Sequence, residues 1–225
     1  MAYKDKEKRK EYSKKYYLQN KEEAKESNKK YRLEMKNMIN NATEISNNEV
    51  IVFDVPQVDF ELLETNAKKA AIGGKSQIRR NENRKQFLYE DQLVGQIANY
   101  AASVVLTKSS GGYKEAREIA NNNPYKGDDG VDIIGLSNVD VKGSLMRYSS
   151  DPLSYRLLVR PRERHENWIY VLCLVPKDMK RCYVVGWIKD EDLPAKTYEG
   201  PIESLHGAFV VPAKKLEKMS DFTKF

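Results

Sequence analysis

Between residues 83 and 107 apolar side chains recur at the helical interval. Phe87, Val94, Ile97, Ala98, Ala101, Val104 and Val105 share one face of NRKQFLYEDQLVGQIANYAASVVLT, which predicts the strongest helix in the chain. Upstream, EVIVFDV at 49–55 reads as a short strand halted by Pro56. Residues 59–72 then read as a helix with Asp59 as N-cap, closed by Gly73-Gly74. Downstream, after a short helix near 113–121, the pattern changes to strands. VDII at 131–134 and VDVK at 139–142 flank the turn residues Gly135 to Asn138 and predict a β-hairpin. Further strands are expected at 155–159, 168–175, 182–188 and 209–211, with a short closing helix over 213–219. This order is that of an α+β protein, a mixed β-sheet flanked by helices.

Residues 1–41 show a different pattern: charged, without Pro or Gly, and rich in helix formers, so that one long helix or two are expected. NNATEISNN at 40–48 reads as a linker. The expected organisation is therefore a basic helical arm at 1–45 and a larger domain at 46–225, its core starting near residue 84.

Charge sharpens that division. The net charge of the 225-residue chain is +6, and residues 1–40 hold 13 Lys/Arg against 7 Asp/Glu, so the whole surplus lies in the arm. A localised basic segment is the footprint of a polyanionic partner, most often nucleic acid. Lys14 and Lys15, set among Tyr12, Tyr16 and Tyr17, suit a DNA-contacting arm; the same tyrosines, with Leu and Met, also suit a helix that docks or dimerises. A second basic stretch, Lys75, Arg79, Arg80 and Arg84 with Lys85 beside Gly74, reads as a phosphate-gripping loop. It lacks the full phosphate-loop pattern, so no nucleotide cofactor is expected. With no 18-residue apolar run and no hydrophobic segment after the lysine-rich start, a membrane is not an expected partner and the expected compartment is cytoplasmic. Cys173 and Cys182 lie in apolar strand-like runs without zinc-site spacing and read as buried reduced thiols. His165 and His206 are isolated in sequence.

The chemistry converges on the hairpin. Alternation along 139–142 sends Asp140 and Lys142 to one face and Val139 and Val141 to the other, and a turn closing between Ile134 and Asn138 sets Asp132 across from Asp140. Two carboxylates and an ammonium so arranged would hold a hard divalent cation and a water, a site for phosphoester hydrolysis. The alternative is a solvated charged hairpin: acidic-x-Lys occurs four times here, but only Asp140-x-Lys142 sits in an apolar strand with an acid upstream. On the long helix, Glu90 projects within about 30° of the apolar stripe's centre, either an inward-facing acid that needs a partner or, near the helix start, one that favours the dipole and reaches out to solvent. Asp91 projects about 70° away. Gly143 and Ser144 would let backbone pass close to a ligand, and Arg147 is expected at a DNA-facing edge. Arg160, Arg162 and Arg164 in RPRERHEN are further candidates to contact phosphate.

The segment GVDIIGLSNVDVKGS resembles the core motif of the PD-(D/E)XK nucleases, the restriction-endonuclease-like superfamily. Asp132 stands as the first acid and Asp140-Val141-Lys142 as the (D/E)XK element; Val131 replaces the usual Pro and Asp140 the commoner Glu. The resemblance covers roughly residues 84–225. It implies a metal-dependent DNA endonuclease in which Asp132, Asp140 and the Val141 carbonyl coordinate Mg2+ or Mn2+. Glu90 would bind a second ion or orient its water, and Lys142 would position the attacking water. A small nuclease domain with a basic arm resembles both restriction enzymes and phage-borne nucleases, which implies the cytoplasm of a bacterium or a phage-infected host. A homodimer is expected for a restriction-type enzyme or a junction resolvase. The reading from another class is a noncatalytic DNA-binding or assembly protein on a nuclease-like scaffold. RNA ranks lower, since no aromatic strand of the ribonucleoprotein type is visible.

Overall fold

The strand Ile169–Val175, IYVLCLV, is buried at every position, as expected of a strand covered on both faces. The rest of the described compact unit is layered on it. The computed structural model describes residues 50–73, 85–122, 132–200 and 206–224. Apart from Glu199, Gly200 and His206, these belong to one compact unit, Ile45–Tyr198 with Gly207–Phe225; a second unit comprises Met1–Glu44 and Glu199–His206. The basic arm and the 74–84 loop, with Lys14, Lys15, Lys75, Arg79, Arg80 and Arg84, lie outside the described residues.

In chain order the elements are β1 (Ile51–Asp54), α1 (Gln57–Gly73), α2 (Lys85–Thr107), α3 (Gly111–Asn122), β2 (Val139–Leu145), β3 (Arg156–Val159), β4 (Ile169–Val175), β5 (Arg181–Lys189) and β6 (Phe209–Pro212). The main sheet has the order β1-β5-β4-β2, and β3 and β6 form a separate antiparallel pair. The architecture is α+β, as the pattern predicted. No described helix is long and apolar enough to cross a membrane.

The main sheet separates two cores. On one face Val139, Val141, Val171, Cys173 and Val184 meet α1 and α2 through Leu63, Val94, Ile97 and Ala101; on the other, Tyr170, Leu172, Leu174 and Val185 meet Leu157 and Val159 of β3 and Phe209 and Val211 of β6. The helix α2 is buried on more than its apolar stripe. Gln96, Asn99 and Ser103 are buried with it, and Gln96 accepts a 2.8 Å bond from the Tyr113 hydroxyl of α3. Both thiols are buried and unbridged, as expected.

Two local expectations are corrected. The helix α1 starts two residues before Asp59; Asp59 accepts a bond from Tyr100 and pairs with Lys114, so it ties helices together rather than capping its own. The closing helix at 213–219 is replaced by short 3-10 turns at Ala213–Lys215 and Met219–Lys224.

The larger correction concerns the hairpin. Residues 132–138 form turns, with Gly135 at φ +91°, and β2 runs parallel to β4 in the register Asp140↔Tyr170 and Lys142↔Leu172. Ile133 is apolar because it is fully buried in the helical core, and the Ile134 amide bonds the Gly112 carbonyl at the start of α3. A buried turn residue and a buried strand residue look alike in so short an apolar run. The parallel pairing requires a long crossover, which residues 146–168 supply with β3 inside it.

Candidate active site on the edge strand

Among the described residues the strand β2 is the sheet's edge, and its alternation is the one expected from sequence. Val139 and Val141 enter the helical core, while Asp140 and Lys142 project to the opposite face above β4. Lys142 Nζ lies 2.8 Å from an Asp140 oxygen and 3.0 Å from Glu163 Oε2. Glu163 ends a 3-10 turn at Pro161–Glu163, directly after β3, and also draws Arg160 at 3.4 Å and Arg162 at 3.8 Å. The result is an ammonium between two carboxylates in a half-buried setting.

Burial dominates the titration of Asp140 and pushes its carboxyl above the ordinary value against the pull of Lys142. Burial would lower Lys142, but the charges and hydrogen bonds of Asp140 and Glu163 outweigh it and hold the ammonium above its ordinary pKa. For Glu163 the same competition runs the other way: burial raises it, and Lys142 with Arg160 outweighs that and lowers it from the ordinary value. At neutral pH Lys142 is thus a fixed cation, suited to stabilising negative charge and not to accepting a proton.

Asp132 reaches this strand from its turn. Met146 N bonds Val175 O and Ile169 N bonds Asn138 O, so even-numbered residues of β2 bond β4 and odd ones face the open edge. There the Val141 amide donates to Asp132 Oδ2 at 2.9 Å, and Asn99 Nδ2 of α2 donates to Oδ1 at 2.7 Å. The same alternation directs the Val141 carbonyl to that edge. Asp132 therefore stands beside the residue between Asp140 and Lys142, held by a side chain and not by a paired strand, and the expected position directly across from Asp140 is not adopted.

Glu90 is not brought to this group. It lines a hollow of about 450 Å³ with Leu145, Arg147, Lys177 and Met179, at the far end of β2. Five residues of strand, roughly 16 Å, separate Leu145 from Asp140, and Glu90 lies on the helical face of the sheet, Asp140 on the other. The helix runs antiparallel to β2, so the α2 residue level with Asp132 is Asn99. Among the described residues no three His, Cys, Asp or Glu side chains gather as a metal centre.

The DNA-facing candidates divide. Ser144 and Arg147 are exposed near the end of β2, and Arg147 lies 3.8 Å from Asp91. Arg164 is engaged by Asp190, Nε to Oδ1 at 2.6 Å, and lies over the Phe209 ring at 4.9 Å, so it closes the β3–β6 layer.

Glu163 and Asn99 were not singled out from sequence. Glu163 is hidden in a run dominated by arginine, and nothing local links it to a lysine 21 positions away. Asn99 did leave a trace: polar Gln96, Asn99 and Ser103 recur at helical spacing inside an otherwise apolar helix, the mark of a second buried face. No family model, curated protein or solved structure was found to match the chain.

Proposed function

We propose that this protein is a metal-dependent DNA endonuclease of the restriction-endonuclease-like fold, cutting phosphodiester bonds from the open edge of β2. The observation that carries the reading is that Asp140 and Lys142 share one face of an edge strand, 2.8 Å apart, while Asp132 is bonded to the amide of the residue between them. The α+β layering supports it as well. The turn that carries Asp132 departs from the hairpin of the motif.

Asp132, Asp140 and the Val141 carbonyl are hard oxygen donors suited to Mg2+ or Mn2+, and a carboxylate oxygen that accepts one hydrogen bond can also coordinate a cation. Such an ion supplies Lewis acidity at the scissile phosphate and a more acidic water. Lys142, held charged by its carboxylate neighbours, orients the attacking water and offsets the charge that grows on the phosphate. Asn99 holds Asp132 in place; Glu90 is left out of the catalytic set. The basic arm supplies salt-sensitive affinity for DNA, and a homodimer would present two such edges to a duplex.

A second reading, a noncatalytic DNA-binding protein, draws on Glu163: a lysine already paired with two carboxylates can serve as a structural knot. Supercoiled plasmid incubated with wild type and Lys142→Ala, in magnesium, manganese or chelator, separates the two. Metal-dependent nicking or linearisation that disappears in the variant is the expected result. Intact plasmid and intact branched DNA under every metal would overturn the nuclease and leave the binding protein.

A further inference from the structure

Beyond the catalytic edge, the loop after β2 forms a second feature that the proposed cleavage does not use. Tyr148 is 54% exposed and lies stacked on Tyr155, ring centroids 4.4 Å apart and planes within 22°. The buried Tyr155 fixes this loop through its hydroxyl, which accepts from the amides of Tyr148 and Ser149 at 3.3 and 3.1 Å and donates to the Ser149 carbonyl at 2.9 Å. A large exposed aromatic is thereby presented on a backed, immobilised base. Beside it lies a hollow of about 340 Å³ lined by Arg147, Tyr148, Ser149, Ser150, Lys177 and Tyr183 among others. Its polar groups are the cations of Arg147 and Lys177, two serines and the hydroxyls of Tyr148 and Tyr183, and Arg147 also lies 3.8 Å from Asp91. Met146, in its wall, belongs to the core of the face on which Asp140 and Lys142 project, and lies roughly 13 Å further along the chain direction of β2 than Lys142.

A rigid aromatic face flanked by Arg and Lys is the arrangement that takes an unpaired base and its phosphates. We propose that this hollow binds a nucleotide of single-stranded nucleic acid, the base stacked on Tyr148 and the adjoining phosphates held by Arg147 and Lys177. A base inside a duplex has both faces covered and cannot stack there. The inference deepens the nuclease reading, on which it rests for the direction of the strand toward Lys142, by assigning a substrate with an unpaired stretch.

The test uses the full chain with chelator present, so that nothing is cut, and measures anisotropy of a fluorescein-labelled single-stranded oligonucleotide and of a duplex. Tyr148→Ala should weaken single-strand binding about five- to hundredfold, the range of one lost base stack. Tyr148→Phe should stay within about twofold of wild type, since the ring and not the hydroxyl does the stacking. Arg147→Ala and Lys177→Ala should each weaken binding and lower its salt dependence. A 2-aminopurine base in the strand should be quenched by wild type and not by Tyr148→Ala. Urea midpoints for every variant keep a folding defect apart from a binding one. Equal single-strand binding by Tyr148→Ala and wild type, or equal losses on single strand and duplex, would overturn the proposal. Cleavage of plasmid and of branched DNA is scored separately: cutting without stacking sinks this inference alone, and stacking with neither DNA cut sinks the nuclease alone.

Discussion

Gly143 sits where β2 passes closest to α2. An added Cβ there would lie 2.8 Å from the Ala98 Cβ and 3.3 Å from the Val94 carbonyl oxygen. Both obstacles are fixed to the helix backbone, so neither can turn aside, and the helix must retreat by about 1 Å to restore a normal carbon contact. Overpacking of this kind costs about 1–3 kcal/mol. An alanine in a strand is otherwise better than glycine by about 0.5–1 kcal/mol, so at an open position the substitution would stabilise. Gly143→Ala is thus expected to destabilise by a net ~1–2 kcal/mol, lowering Tm by roughly 2–8 °C. The sign is the test. Urea unfolding followed by circular dichroism and by the fluorescence of buried Trp187 supplies the measurement. Adding Ala98→Gly should return part of the loss as a coupling of about 1 kcal/mol, despite the poor helix propensity of glycine. Because Asn99 follows Ala98 and holds Asp132, plasmid cleavage should fall along with stability. A neutral or stabilised Gly143→Ala, or strict additivity with Ala98→Gly, would refute the close approach of α2 to the strand.

The Lys142 cluster and the thiols supply two more expectations. In wild type, the lowered pKa of Glu163 contributes stability present above its unfolded value and lost as pH falls through the folded one; the raised pKa of Lys142 contributes stability lost only as pH rises through its folded value, above the ordinary lysine range. Lys142→Met should therefore cost about 1–3 kcal/mol at pH 7 and progressively less toward pH 4, as the two stranded carboxylates protonate; urea midpoints across pH check this, and a loss independent of pH would contradict it. Cys173, its thiol pushed well above the ordinary range by the hydrogen bond with Cys182 and by burial, should not react with a disulfide reagent at pH 8 until denaturant is added; prompt labelling of the native protein would contradict the burial of both thiols.

The expectations that held are those a short window of residues contains. The strands at β3, β4, β5 and β6 and the three described helices all appear within a few residues of where the pattern sets them, and Asp140 and Lys142 alternate out of the core against Val139 and Val141. Those that failed required knowledge of a neighbour. The apolar run VDII reads as a strand, but Ile133 is apolar because it enters the helical core. Helix projection gives Glu90 a face of α2 and not a level along β2, and the structure sets it at the far end of the strand from Asp140.

By itself the sequence determined the class of the fold, the identity of most elements and which side chains of β2 face out of the core, since side-chain period is a local property of the backbone. Only the tertiary structure decided that β2 pairs in parallel with β4, that Asn99 holds Asp132 at the open edge, and that Glu163 closes on Lys142. Strand partners and ion pairs across 20 or more residues are selected by burial on both faces of the sheet, a sum over the whole chain that no segment carries alone.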